Sequence, residues 1–170
     1  NTMRGIYGTD VLIAAANSFT GSVRQAEYTK KEAAAMVMPN GLRSYRCEMT
    51  GAELKKTVKA FVEGYEGGLP VFNRGSLPVV SGIAIEVQGN GGSYTLTGVT
   101  RNGQPVQDDD IFTVSCLSTP KYMEPLLADG SSAFEEDDMT VRNAWLDYVS
   151  AGSALLAEPE SYIVLRDENG

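Results

Sequence analysis

The side chains able to do chemistry in this chain are few in kind. It contains no histidine, which removes together the commonest general base, the base of a serine triad and the commonest metal ligand. Carboxylates, guanidinium groups and two thiols are among the groups that remain. Asp108, Asp109 and Asp110 form one acidic run, and Glu135, Glu136, Asp137 and Asp138 form another. Carboxylates alone can hold a hard cation or act as an acid/base pair. The first run, however, lacks the glycine and glutamate of a calcium loop and reads as a solvated turn beside a strand. The second reads as the acidic start of a helix, where carboxylates meet the positive end of the dipole. No two acids stand on elements suited to facing each other across a substrate, so no autonomous catalysis is expected. Cys47 and Cys116 both fall in predicted strands, where a buried thiol behaves as a small hydrophobe. A disulfide between them stays open.

These residues must be positioned by a chain of 170 residues with 42% hydrophobic and 21% charged content, which fits one globular domain. The net charge of -8 argues against nucleic acid as a partner, because such binding releases counterions opposite a basic patch. No apolar run approaches the roughly 20 residues that span a bilayer. The opening Asn1 to Thr9 reads as the end of a helix closing on glycine, so the chain is expected to be a fragment of a longer protein.

Asp10 to Ala16 is a continuous apolar run of strand length, followed by a polar loop from Asn17 to Arg24. Thr29 with Glu32, and Thr50 with Glu53, are capping-box pairs. The first opens a short helix through Val37. The second opens an amphipathic helix carrying Leu54, Val58, Phe61, Val62 and Tyr65 at helical spacing. Between them, residues 42–49 alternate, with Tyr45, Cys47 and Met49 on one face of a half-buried strand. Further strands are expected at Val79 to Val87, Tyr94 to Thr100, Ile111 to Leu117 and Tyr162 to Leu165. Asn102-Gly103 marks a tight turn, and Val141, Trp145, Leu146 and Val149 form the apolar stripe of a late helix. Residues 64–78 read as a loop. The irregular interleaving predicts an α+β fold, a mixed sheet with helices packed on it.

Several short motifs in fixed order carry a family likeness: Asp10 leading its strand, Gly21-Ser22-Val23-Arg24, Thr29 before a helix, Pro39-Asn40-Gly41-Leu42, Thr50-Gly51, Ser81-Gly82-Ile83, and Asn102 to Val114. Their order resembles the C-terminal, substrate-recognising domain of the exported 5'-nucleotidases, from about Asp10 to Val149. The resemblance implies a single domain over residues 1–170, lacking the N-terminal metallophosphoesterase domain that holds a divalent metal pair. No cofactor is expected in this chain. It further implies an extracellular, cell-surface or periplasmic setting, a nucleotide or other phosphorylated small molecule as ligand, and no membrane contact by this domain.

By the same resemblance Arg24 faces substrate phosphate or ribose, chemistry a guanidinium fork suits bidentately. Asn17 either caps the end of its strand or touches ligand. The two aromatic rings that clamp the base in the family fall at Asn40 and Thr119, and the base-contacting Asn falls at Leu42. Stacking on such rings contributes about 1 to 3 kcal/mol each, so the usual clamp is absent by sequence. Tyr122 and Phe72 are the candidates to replace it, with Tyr65 and Arg74 beside them if the loops at 64–78 and 118–130 converge. Two readings follow. One is the substrate-recognition domain of a metal-dependent phosphoesterase resembling 5'-nucleotidase or 2',3'-cyclic-nucleotide phosphodiesterase. The alternative is a degenerate, non-nucleotide binding or structural module of a cell-surface protein.

Overall fold

The computed structural model describes residues 2–15, 18, 29–37, 41–63, 78–90, 93–118, 134–152 and 163–166. Among these the order is α1 (Thr2–Tyr7), β1 (Val11–Ala15), α2 (Lys30–Ala35), β2 (Arg43–Thr50), α3 (Gly51–Glu63), β3 (Pro78–Ser81) and β4 (Ala84–Asn90). There follow β5 (Ser93–Arg101), β6 (Gln104–Pro105), β7 (Ile111–Ser118), β8 (Glu135–Thr140), α4 (Val141–Ser150) and β9 (Ile163–Arg166). A mixed five-stranded sheet has the order β3-β1-β7-β2-β8, with β1 and β7 parallel and the other neighbours antiparallel. A second sheet has the order β6-β5-β4-β9. The expected α+β class with helices on a mixed sheet is what the chain forms.

Period-two alternation in the strands sorts the five-stranded sheet into two apolar faces. Val11, Ile13, Tyr45, Met49, Phe112, Val114 and Cys116 pack with Leu54, Val58 and Phe61 of α3 and with Ile83, Ile85, Val87 and Val99 of the second sheet's side. Leu12, Ala14 and Leu117 instead meet Met3, Val37, Val141 and Trp145 from the helical side. The sheet is thus covered by α1, α2 and α4 on one face and by α3 and the second sheet on the other.

Both capping boxes form. The Thr29 hydroxyl accepts from Glu32 N at 3.3 Å, and the Glu32 carboxylate accepts from Thr29 N at 2.8 Å. Thr50 and Glu53 repeat this at 3.3 and 2.7 Å. The start of α3 is also capped from outside, since Gly51 N and Ala52 N donate to the carbonyls of Asp110 and Asp108 at 2.7 and 3.1 Å. The acidic turn at 108–110 is therefore exposed in its side chains and structural in its backbone, with the Asp108 carboxylate also taking Lys55.

Two expectations are corrected. Val79 to Val87 is not one strand: the chain breaks at Gly82, so β3 joins the first sheet and β4 the second. Glu135 to Asp138 do not start a helix; they form β8, and α4 begins later with Thr140 as its cap, the hydroxyl accepting from Asn143 N at 3.3 Å. The acidic strand is held at the sheet edge by arginines of β2, Arg46 to Asp137 at 2.8 Å and Arg43 to Glu136 at 3.6 Å. Arg43 Nη1 also donates to the Asp138 carbonyl at 2.8 Å. Charge on an edge strand also discourages pairing with another chain.

Candidate functional site

Parallel neighbours in a mixed sheet direct attention to their carboxyl ends, outside which ligands of open α/β sheets bind. The register gathers five chain ends at that edge. Ala14 lies opposite Leu117, Ala15 opposite Pro78, and Arg43 opposite both Ser118 and Thr140. Through connectivity alone, this edge sends the chain into 16–28 and 119–133 and receives it from 38–40 and 64–77. Those segments carry six of the seven residues singled out by sequence: Asn17, Arg24, Asn40, Phe72, Thr119 and Tyr122. All six lie outside the described residues, as do Tyr65 and Arg74.

The seventh, Leu42, is described. It is 2% exposed, packs with Val37, Val141 and Trp145, and offers its carbonyl to Val141 N at 3.0 Å. Leu42 thereby seats the first turn of α4 on the start of β2. Sequence reasoning passed over the serines beside its candidates: Ser18 and Ser118, next to Asn17 and Thr119, are 1% and 2% exposed and their hydroxyls have no hydrogen-bond partner. Their adjacency was the available signal. Arg142 at this edge is engaged by the protein itself, its Nη2 donating to the Val37 carbonyl at 2.8 Å.

At the far end of β1, Asp10 organises a different cluster. Its carboxylate accepts from Thr113 N at 3.0 Å, from the Thr113 hydroxyl at 2.8 Å and from Arg101 Nη2 at 3.0 Å. Arg101 also lies over the Phe112 ring, 5.2 Å from its centroid. The Thr113 backbone donor, then the Thr113 hydroxyl and Arg101, hold the Asp10 carboxyl below its ordinary value against the opposing effect of burial. Arg101 ends β5 of the second sheet, so this ion pair ties the two sheets together. A lowered folded value means stability present above the unfolded value of about 3.9 and lost as pH falls through the folded one. Both partners are 38% exposed, so solvent screening keeps the contribution modest, about 1 kcal/mol or less. Asp10→Asn is expected to lower Tm by a constant margin between pH 5 and 8, a margin that closes below about pH 4. Thermal melts of both proteins across that range check it; a margin unchanged at pH 3 would remove Asp10 as its source.

The thiols are not poised for chemistry. Burial, then Glu53, pushes Cys47 up to about 12, and burial, then Cys47, pushes Cys116 well above the ordinary thiol value. Both stay protonated near neutrality, whereas the thiolate is the nucleophile. Both are free, and pairing of Tyr45 with Cys116 and of Cys47 with Val114 makes them diagonal neighbours. Diagonal positions stand about 7–8 Å apart, beyond the usual reach of a disulfide. Among the described residues no group of three or more His, Cys, Asp or Glu side chains is disposed to hold a metal ion.

With this geometry in view, residues 1–121 match the family described as the 5'-nucleotidase, C-terminal domain. No curated protein matches the chain in sequence. Solved structures that superpose on it include the NAD nucleotidase of Haemophilus influenzae, with 15% identity over 97% of this chain and a TM-score of 0.64. A putative 5'-nucleotidase from Staphylococcus aureus, in complex with alpha-ketoglutarate, gives 12% over 98% and 0.68. The sulfate thiohydrolase SoxB of Thermus thermophilus, in complex with glycerol, gives 16% over 96% and 0.63. At such identities the likeness shows a shared fold. The chain spans about a third of each of those proteins: 32%, 35% and 30% of their lengths.

Proposed function

Because the chain belongs to the 5'-nucleotidase C-terminal domain family, we propose that it is the substrate-recognition domain of an exported phosphoesterase whose catalytic metals sit in a partner domain of the same protein. The observation that carries this reading is the gathering of the β1 and β7 carboxyl ends with the starts of β2 and β3 at one edge. The polar segments bearing Asn17, Arg24, Asn40, Thr119 and Tyr122 attach there. The domain would hold a nucleotide or another phosphorylated small molecule, with Arg24 on the oxyanion. Water attack on the phosphate would belong to the metal-bearing domain, since a metal pair can activate water and stabilise both oxygens of an in-line displacement.

Titration of the protein with AMP, adenosine, a cyclic nucleotide and a UDP-sugar tests the reading. Saturable binding is expected for at least one phosphorylated ligand. Loss of a charge-assisted hydrogen bond is worth about 1.5–3 kcal/mol, so Arg24→Ala should weaken it roughly ten- to hundredfold. Adenosine, which offers Arg24 no phosphate, should bind no better to the native protein than to Arg24→Ala. Saturable binding untouched by Arg24→Ala would remove Arg24 from the site.

One observation favours a second reading, a module that keeps the fold without nucleobase recognition. Leu42 stands where the family resemblance puts a base-contacting asparagine, and it is buried in the core. Absence of binding to every nucleotide in the full-length protein would decide for that module.

A further inference from the structure

Beneath α1, on the helix-covered face of the five-stranded sheet, four buried polar atoms have no hydrogen-bond partner: Tyr7 OH, Ser44 Oγ, Ser115 Oγ and Asp137 Oδ2. Ser44 and Ser115 are fully buried at 0% exposure. Buried polar atoms are nearly always paired, and leaving one unpaired costs about 1–3 kcal/mol. Four together on one face need a common explanation.

The register makes them neighbours. Ser115 of β7 is the direct partner of Arg46 on β2, and Ser44 lies two residues before Arg46 on the same face. Across the other edge of β2, Arg43 pairs with Thr140 and Tyr45 with Glu136, so Ser44 alone faces the bulged segment 137–139. Asp137 belongs to that bulge, and its Oδ1 takes Arg46 Nη2 at 2.8 Å, which leaves Oδ2 turned inward. Tyr7 closes the group from α1, packed on the same apolar cluster as Leu117, Val141 and Trp145. Its hydroxyl feels both Asp137 and Arg46, and burial, followed by the Asp137 charge, raises it well above the ordinary tyrosine value. It therefore stays a donor.

We infer that Tyr7, Ser44, Ser115 and Asp137 line an internal site that binds ordered water, one or two molecules that bridge α1 to the bulge of β8. The chemistry is complementary: three hydroxyls that both donate and accept, and one acceptor-only carboxylate oxygen. A buried water typically makes about three hydrogen bonds to such groups. The Asp137 carboxylate and the two serines make no hydrogen bond to one another, and the register of β2 against β8 is irregular where Ser44 faces them. The site fixes α1 through polar contacts in addition to the apolar side of Met3.

Removing one hydroxyl separates a hydrated site from a dry one by the sign of the effect. In a hydrated site Ser115→Ala strands the water and its remaining partners, and Tm is expected to fall by about 2–5 °C for a chain of this size. In a dry one the same change deletes an unpaired buried hydroxyl, and Tm stays level or rises. A crystal structure of the native protein gives the direct reading: density within about 3.2 Å of at least three of the four atoms is expected. A Tyr7 hydroxyl bonded straight to Asp137 with no density between the groups, or a Ser115→Ala protein as stable as the native one, overturns the inference.

Discussion

Gly82→Ala is expected to destabilise the protein by about 3 kcal/mol or more, among the larger effects a single methyl group can have. Gly82 adopts φ +85 between β3 and β4, and a Cβ there would lie 1.9 Å from the carbonyl oxygen of Asp10. Two costs combine. The left-handed backbone alone disfavours an L side chain by about 1–2 kcal/mol. The overlap with backbone then forces either the β3–β4 connection to shift or β1 to move at Asp10, which carries the bonds to Thr113 and Arg101. Gly103→Ala is the internal control: Gly103 also has positive φ, at +77, but nothing lies within 4 Å of its Cβ direction. It should lose only the backbone cost. Urea unfolding of both variants measures the difference. Equal losses would mean that the close approach to Asp10 is relieved freely.

Gly82 also shows why part of the fold could not be read from the chain. Ile83, Ile85 and Val87 alternate and share one core cluster with Val80, so the stretch reads as one apolar strand, and only the three-residue step from Val80 to Ile83 marks the change of phase at Gly82. Periodicity reports which side is buried. It does not report which sheet a strand joins, and the exchange of sheets at Gly82 depends on where β1 passes. The acidic segment 135–138 failed for a related reason: its partners Arg43 and Arg46 lie some ninety residues earlier. Local charge favoured a helix start, and the distant arginines decided for a strand.

What was legible was local. The capping pairs Thr29/Glu32 and Thr50/Glu53 close over three residues and form as read. Asn102-Gly103 turns with φ of 52 and 77, both positive as a tight hairpin requires. Of the helical stripe Val141, Trp145, Leu146 and Val149, Val141 and Trp145 are buried. For the candidate site, the sequence supplied residue types and their order through family likeness, while the edge they share follows from the parallel pairing of β1 with β7. That pairing joins residues about a hundred positions apart, and no spacing rule within one segment reveals it.

Trp145→Ala is expected to cost about 3–5 kcal/mol, the range for removing a large buried aromatic side chain. The ring is 6% exposed on α4, and its Nε1 donates to the Ala33 carbonyl of α2 at 2.9 Å. The consequence should be uneven. α2 has six residues, of which only Ala33 is buried, and a helix that short has no stability of its own in water. Its attachment therefore rests on the Trp145 bond, on the packing of Met36 and Val37 against the same cluster and on the Val37 carbonyl held by Arg142. Hydrogen exchange should show α2 amides losing protection beyond the global change, while α3, packed on the opposite face, follows the global change alone. Trp145→Phe keeps most of the ring and loses the donor, so about 1–2 kcal/mol is expected from the unpaired carbonyl and the smaller volume. Because Trp145 is the sole tryptophan, circular dichroism must follow unfolding of both variants. A loss below about 1 kcal/mol for Trp145→Ala, or α2 protection that tracks α3, would mean that α2 docks without this side chain. Val37 after α2 and Leu42 before β2 pack in one cluster with Trp145, so the same ring that secures a core also anchors the described residues on either side of 38–40.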